Sequence, residues 1–546
     1  MLQPLTWSLL LFTLTGITAF CQPTFPKNIQ KPLERVSPKA LEQHIAFLSD
    51  DKMRGRLPGT PEFETAVQYV EDQYRRLGVE PGGESGSYRQ KVTIRNARLN
   101  IEASSLAIVL NENREILEFG RDYSISPDMN TARNEIEAQV VFAGYGISAT
   151  RLGYDDYKGL DVKGKIVLVL SRTPEDRFGS TEVAHLGRLS TKLAAAAEHG
   201  AVGLLTLPAP TVGSGPAGGN RQTPVVRGVV FPDGTVGGGA VNPYPSLKVV
   251  GSLTWNGLAK LLGQIDKSPK ELAAMIYNPT LPISIPGKIS AQTSTTYEDI
   301  PSFNVIGKIP GTDPVLKNEY VIHTAHLDHV GVGRPINGDS IYNGAHDNAS
   351  GVAALLEIAR TYTSLKEAPR RSILIVMVTA EEMGLLGSAY FAQQPTVPKE
   401  KIIANVNTDM PTLIAPLLGV VPLGAEHSSI INHVRKAAGF LGLEVMQDHM
   451  PQEVRFVRSD QYSFVLQGIP ALHIKYGLKT SNPSVDLDAK IKDFTQNHYH
   501  KPSDELNDSF DFNAGKTYVK LNFLISYSIA NDPVRPQWNA NSIFSK

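Results

Sequence analysis

Histidines and carboxylates recur in this chain where apolar runs end. Tyr320-Val-Ile-His-Thr-Ala-His326 continues into Leu327-Asp328-His329, and Asn343-Gly-Ala-His-Asp347 precedes Asn348-Ala-Ser-Gly351. Ile373 to Val378 leads into Thr379-Ala380-Glu381-Glu382, and Ile402 to Val406 leads into Asn407-Thr408-Asp409. Short apolar runs bounded this way read as buried strands. In an open parallel sheet, the carboxyl ends of the strands form the crevice where ligands bind. Imidazole mixed with carboxylate suits zinc, and the mixture lacks the thiolates of a closed structural zinc site.

The charges give this set a definite form. Two zinc ions bring four positive charges, and Asp347, Glu382 and Asp409 supply three negative ones. A bridging hydroxide makes the site neutral, with His326 and His500 as neutral end ligands. Metals in such a pair sit about 3.5–4 Å apart and lower the pKa of the water between them. Glu381 directly precedes Glu382, so one carboxylate can hold metal while its neighbour stays free as general base. Asp328, two residues beyond His326 on an extended segment, is placed to orient the imidazole. An isolated Glu-Glu pair is ordinary solvated surface, and an isolated His-x-Asp says little. The reading rests on all the motifs occurring in order, each at a strand end.

The elements that must position these residues can be taken along the chain. With 546 residues and 41% hydrophobic content, two or three domains with full cores are expected. A net charge of -1 gives no electrostatic footprint for nucleic acid. Leu9 to Phe20 is an apolar run too short to cross a bilayer comfortably, followed by polar Gln22-Pro-Thr24. It reads as a secretory signal over residues 1–21, cleaved near Cys21. The mature chain is then exported, periplasmic or extracellular, with no transmembrane helix and no internal disulfide. An uncleaved anchor, or lipid attachment at Cys21, stays open.

Ser37-Pro38 caps a helix with Leu41, Ile45 and Leu48 on one face. A second helix carries Phe63, Val67, Val70 and Tyr74, with Gly78 as its C-cap. From about Glu135 the texture becomes β-rich, with strands near 138–142, 165–170 and 201–207 and a Gly- and Pro-rich loop over 209–240. Gly159-Leu-Asp-Val-Lys-Gly-Lys165 imitates a phosphate-binding loop. Ile166 replaces the required Ser or Thr, and the segment feeds a strand rather than a helix. There is no His-Glu-x-x-His and no Gly-x-Ser-x-Gly. A last amphipathic helix runs from about Asn513 to Asn531.

The chain resembles the cocatalytic dizinc aminopeptidases, relatives of bacterial leucine-type aminopeptidases and glutamate carboxypeptidases. The resemblance covers roughly residues 37–535. It lies in His326-Leu-Asp328, Asp347-Asn-Ala-Ser-Gly351, Glu381-Glu382, Asn407-Thr-Asp409 and Tyr499-His500. Residues 135–285 resemble the protease-associated domain often inserted in that family, through Phe142-Ala-Gly-Tyr-Gly146, Tyr154-Asp-Asp-Tyr157 and Val162-Lys-Gly-Lys-Ile-Val167. The resemblance implies an α/β fold, a mostly parallel central sheet sandwiched by helices. The peptidase domain would be split into 37–134 and 286–535 by the β-rich insert.

It also implies His326 on one zinc, Asp347 bridging both, and Glu382, Asp409 and His500 as the remaining ligands. Glu381 would be the general base. Tyr499 and Met410 would line the pocket, with Tyr499 available to an oxyanion. The peptide bond Asp347–Asn348 is expected to be cis. His346 stands where relatives commonly carry Asp, either as a supporting group or as an extra imidazole near the metals. His323 and His329 are expected to be structural or solvent-facing.

The implied activity is that of a zinc-dependent exopeptidase hydrolysing the amino-terminal bonds of peptides or proteins. A carboxypeptidase or dipeptidase remains an alternative, because Arg455 and Arg458 lie near the presumed pocket and could grip a carboxylate. Glutaminyl cyclase chemistry needs one zinc, and the second metal set argues against it. A non-catalytic ectodomain would be free to lose ligands, which this chain keeps. Nothing in the sequence specifies an oligomeric state.

Overall fold

The computed structural model describes residues 24–111, 113–209, 224–239, 241–276, 285–411 and 413–545. The apolar run 9–20 and Cys21 lie outside these. Among the described residues, no helix is long and apolar enough to cross a membrane.

Four parallel strands form the centre of the main sheet, in the spatial order Ser372–Val378, Tyr320–His326, Ile402–Asn407, Ala471–Tyr476. The parallel part stops there. Lys288–Ile309 and then Arg89–Leu99 extend one side antiparallel, and Gly419–Leu423 pairs antiparallel on the other, so the whole sheet is mixed α/β. Every residue of Ser372–Val378 and Tyr320–His326 is buried. The near-continuous apolar run Ile373–Val378 has a simple cause, since both faces of this sheet are covered. Ile373, Ile375 and Met377 join one core with the helices Pro38–Leu48, Pro61–Leu77, Ser350–Thr363 and Phe512–Asn531. Leu374, Val376 and Val378 join the other, with Phe391, Tyr462 and Phe464.

The helix starts obey the expected chemistry. Ser37 Oγ accepts from the Ala40 N–H at 3.1 Å, Thr60 Oγ1 accepts from the Phe63 N–H at 3.2 Å, and Gly78 closes the second helix in the left-handed region at φ 71°. Strand register aligns the polar edge of the sheet. His326 lies opposite Val378, and Thr324 opposite Asn407, so three neighbouring strands end within two residues of one another.

A β-rich layer has its own core. Strands Arg133–Phe142, Ile166–Leu170, Gly203–Leu207 and Val249–Leu253 run parallel, with Tyr123–Ile125 antiparallel at the edge. Leu106, Ile108, Tyr123 and Ile125 pack in the same cluster as Leu168, Leu205, Leu253 and Ile289. The core of this layer therefore also draws on residues before 135, from Leu99 onward. Ser105–Leu110 pairs antiparallel with the first part of Lys288–Ile309. The strand Lys288–Ile309 serves both layers, its first part in the β-rich one and its remainder in the main sheet.

The expected loop over 209–240 also needs correction where it is described. Val225–Val230 is a strand, paired antiparallel to Arg89–Leu99. Its β-branched residues outweigh the surrounding Gly and Pro.

Phe523 is fully buried on the last helix, its ring 4.6 Å from that of Tyr362. Phe523→Ala is expected to cost about 3–5 kcal/mol, read as a lower urea midpoint of the main-sheet unit. An unchanged midpoint would show that this helix is not part of the cooperative core.

Candidate metal centre

These strand ends bring three acidic or imidazole segments to one edge. His326 is the last residue of its strand, Glu381 and Glu382 follow Val378, and Asp409 follows Asn407. Asp347 enters from the segment preceding helix Ser350–Thr363, and His500 from the turn after helix Leu487–Asn497. All six sequence-predicted groups meet here.

Asp347 is the centre of the arrangement. Its Oδ1 lies 3.1 Å from His326 Nε2, which is in turn 3.7 Å from Asp409 Oδ1. Its Oδ2 lies 3.1 Å from His500 Nε2, which is 2.9 Å from Glu382 Oε2. One carboxylate thus faces two separate imidazole–carboxylate sets. His326, Asp347 and Asp409 present ligand atoms all within 4.8 Å of one another, and so do His329, Asp347 and Glu382. A donor set of imidazole and carboxylate without thiolate fits zinc in catalytic coordination. His326, Asp347 and Asp409 could hold one ion; Asp347, Glu382 and His500 could hold a second.

The protonation preferences reflect crowded, buried charge. Burial disfavours a charged imidazole at His326, yet Glu381, Asp347 and Asp409 overcome it and raise its proton affinity well above the ordinary value. Burial likewise works against ionised Asp347, but contacts with His326 and His500 hold its carboxyl well below the usual range. Glu381 goes the other way: burial first, then Asp460, Glu382 and Asp409, push it well above an ordinary glutamate despite His326. This edge of the sheet favours cations.

The supporting groups are mostly ones that sequence reasoning did not assign. Asp328, expected to orient His326, meets His326 Nδ1 through its main-chain carbonyl at 3.1 Å, with its carboxylate Oδ1 3.9 Å away. The Asp328 carboxylate accepts the backbone N–H groups of Glu381 at 3.1 Å and Glu382 at 3.3 Å, fixing the turn that carries both glutamates. Asp504, 2% exposed, accepts the N–H groups of His346 and Asp347 at 2.9 and 3.0 Å. Arg56, also buried, donates to the carbonyls of Leu48, Leu327, Asn343 and Gly344, tying both ligand-bearing segments to the first helix. The Asp409 carbonyl accepts from His473 Nε2 at 2.9 Å and Lys475 Nζ at 2.8 Å.

Asn348 clamps the bridging segment to the Asp409 turn, donating to Thr408 O and accepting from the Gly351 and Met410 N–H groups. The Asp347–Asn348 bond is cis, and Gly344 has φ 62°. A Cβ at Gly344 would stand 2.2 Å from Asp347 O and 2.5 Å from the His329 ring, so no larger residue fits.

His323 and His329, expected to be structural or solvent-facing, are both buried. His329 Nδ1 stands 2.7 Å from Glu382 Oε1. His346 packs edge-on against Phe494 and Phe510 and lines the cavity that Asp347 and Asp409 also line. The Tyr499 ring stacks on His500 at 3.9 Å, and both Tyr499 and Met410 line the adjoining cavity with Glu381, Arg455 and Arg458.

The carboxyl edge of the α/β sheet thus carries two imidazole–carboxylate sets that share one carboxylate. Residues 304–519, which hold every group named at the centre except Arg56, match the model of Peptidase family M28. The leupeptin-inactivating enzyme 1 of Streptomyces exfoliatus is 36% identical over 109 residues, 20% of this chain and 22% of that enzyme. A probable leucine aminopeptidase 2 of Aspergillus fumigatus is 31% identical over 185 residues, 32% of this chain and 33% of the relative. The chain thus spans a third or less of the length of these two curated relatives. An aminopeptidase structure from Aneurinibacillus sp. strain AM-1 aligns with 94% of this chain and 100% of its own, at TM-score 0.47 and 21% identity.

Asp504→Ala removes the acceptor that holds the bridging segment while leaving every ligand in place. Zinc affinity is expected to fall by about 10–100-fold in competition with a chromogenic chelator. Unchanged affinity would show that the segment holds its shape unaided.

Proposed function

We propose that this chain is a dizinc exopeptidase that hydrolyses the amino-terminal bonds of peptides, with Glu381 as general base. The observation that carries the reading is Asp347, one carboxylate whose two oxygens face two different imidazole–carboxylate sets. Bound there, two zinc ions would polarise a peptide carbonyl and lower the pKa of a water.

The chain's own groups supply the rest. Glu381 lines the same cavity as Asp347 and Asp409 without pairing to either, so its carboxylate is free to take a proton from the attacking water and return it to the leaving amine. Its turn is held by Asp328, which keeps the base in a fixed place. The Tyr499 hydroxyl, kept protonated by burial and the neighbouring carboxylates, can donate to the developing oxyanion. Met410, Ile414, Ile491 and Phe494 give the cavity an apolar wall for a substrate side chain.

We also read residues 1–21 as an export signal and the β-rich layer as a protease-associated domain. Names such as leucine aminopeptidase among the relatives support amino-terminal over carboxy-terminal cleavage.

Glu381→Gln preserves shape but cannot accept the proton. It is expected to keep its full zinc content and lose about 100-fold or more of kcat, measured on free-amino and amino-blocked peptides beside metal analysis. Near-normal turnover at full zinc removes Glu381 from the role. Equal cleavage of amino-blocked peptides removes the aminopeptidase reading.

A further inference from the structure

A second cavity adjoins the one at the metal centre. Its free volume is about 230 Å³, and His346, Ile414 and Phe494 line both cavities, so these three side chains form the constriction between them. His346 belongs to neither ligand set, and no step of hydrolysis uses its ring. The ring is packed instead against two others. Phe494 meets it edge-on at 4.7 Å and Phe510 at 5.8 Å, and edge-to-face contact is a favoured geometry for aromatic pairs. The residue is only 5% exposed. Its N–H is held by Asp504 at 2.9 Å and its carbonyl by Ser350 Oγ at 2.6 Å, so it has little room to swing aside.

The two sides of the constriction differ in chemistry. On the metal side it continues into Met410 and Ile491, an apolar wall. On the other side stand Asp493, Asp504 and Glu505, with Lys490 and His498 as the basic groups among them. We propose that His346 and Phe494, with Ile414, are the floor of the pocket for the substrate's amino-terminal side chain. This floor shuts long side chains out of an acidic cavity suited to a basic one. The proposal rests on the peptidase reading for what enters the pocket, and adds to it which side chains are admitted. A side chain of leucine's size stops at the floor. One as long as lysine has to displace a packed ring, and its ammonium meets the three carboxylates only when the floor is removed. A misfit of one methylene in an apolar pocket is already worth about 10–200-fold.

Three peptides that differ only in the amino-terminal side chain test it: Leu-Ala-amide, Lys-Ala-amide and Nε-acetyl-Lys-Ala-amide, the last being long but uncharged. Binding is measured by calorimetry to the full zinc-loaded chain carrying Glu381→Gln, hydrolysis on the chain with Glu381 intact, and zinc content beside both. With the floor in place, the leucine peptide is expected to bind about tenfold or more tighter than either long one. Phe494 is half-buried, so Phe494→Ala spares the core. It should cancel leucine's advantage, with the lysine peptide gaining about two- to fivefold more than its acetylated form. His346→Ala should act in the same direction, and His346→Phe, which keeps a ring in place, should keep the original order. Adding Glu505→Gln, at an exposed position, to Phe494→Ala should narrow the gap between lysine and acetyl-lysine. A long peptide bound as tightly as leucine with the floor in place, ratios unmoved by both Ala substitutions at full zinc, or gains blind to charge overturn the proposal. The expected binding ratios without hydrolysis of any peptide leave the floor standing and defeat the peptidase reading; hydrolysis with unmoved ratios does the reverse.

Discussion

One carboxylate has to face two sites at once, and most of the surrounding structure answers that demand. Asp347 keeps one oxygen 3.1 Å from His326 and the other 3.1 Å from His500. A side chain with free rotamers would not hold both contacts, so its backbone is held from several sides. Asp504 accepts the N–H groups of His346 and Asp347, the Asn348 side chain ties the segment to the Asp409 turn, and Arg56 gathers the preceding carbonyls. Such outer groups matter nearly as much as the ligands they hold.

The sheet provides the opposite wall. Because Tyr320–His326, Ser372–Val378 and Ile402–Asn407 are parallel and end within two residues of one another, the first polar residues after each strand converge without long loops. Two apolar cores, one on each face, make that register costly to slip, since moving one residue would turn every buried side chain to the wrong core. The price is a concentration of buried carboxylates: Asp328, Asp460 and Asp504 join the ligands, and burial pushes Asp460 up to about 7 and Asp328 and Asp504 up to about 6. Cations at the paired sets relieve that crowding.

Much of this was legible in the sequence. His326, Asp347, Glu381, Glu382, Asp409 and His500 sit beside strand or helix ends, where a one-dimensional pattern carries three-dimensional meaning. The helix caps at Ser37 and Thr60 are local chemistry. What escaped is of another kind. Arg56 works on carbonyls of residues up to 288 positions away, and Asp504 on the N–H groups of residues some 158 positions earlier. Main-chain partners leave no residue-type signal, so neither could be assigned from its neighbours. His329 looked redundant beside His326, yet its Nδ1 stands 2.7 Å from Glu382 Oε1. The strand Val225–Val230 was hidden by the Gly- and Pro-rich sequence around it.

The central claim is that Asp347 bridges two metal ions. Anomalous diffraction at the zinc edge, from crystals of the zinc-loaded chain, addresses it without reference to activity. The account predicts two peaks about 3.5–4 Å apart, one beside His326 and Asp409, the other beside Glu382 and His500, with one Asp347 oxygen on each. A single peak, or two peaks that do not share Asp347, would contradict it.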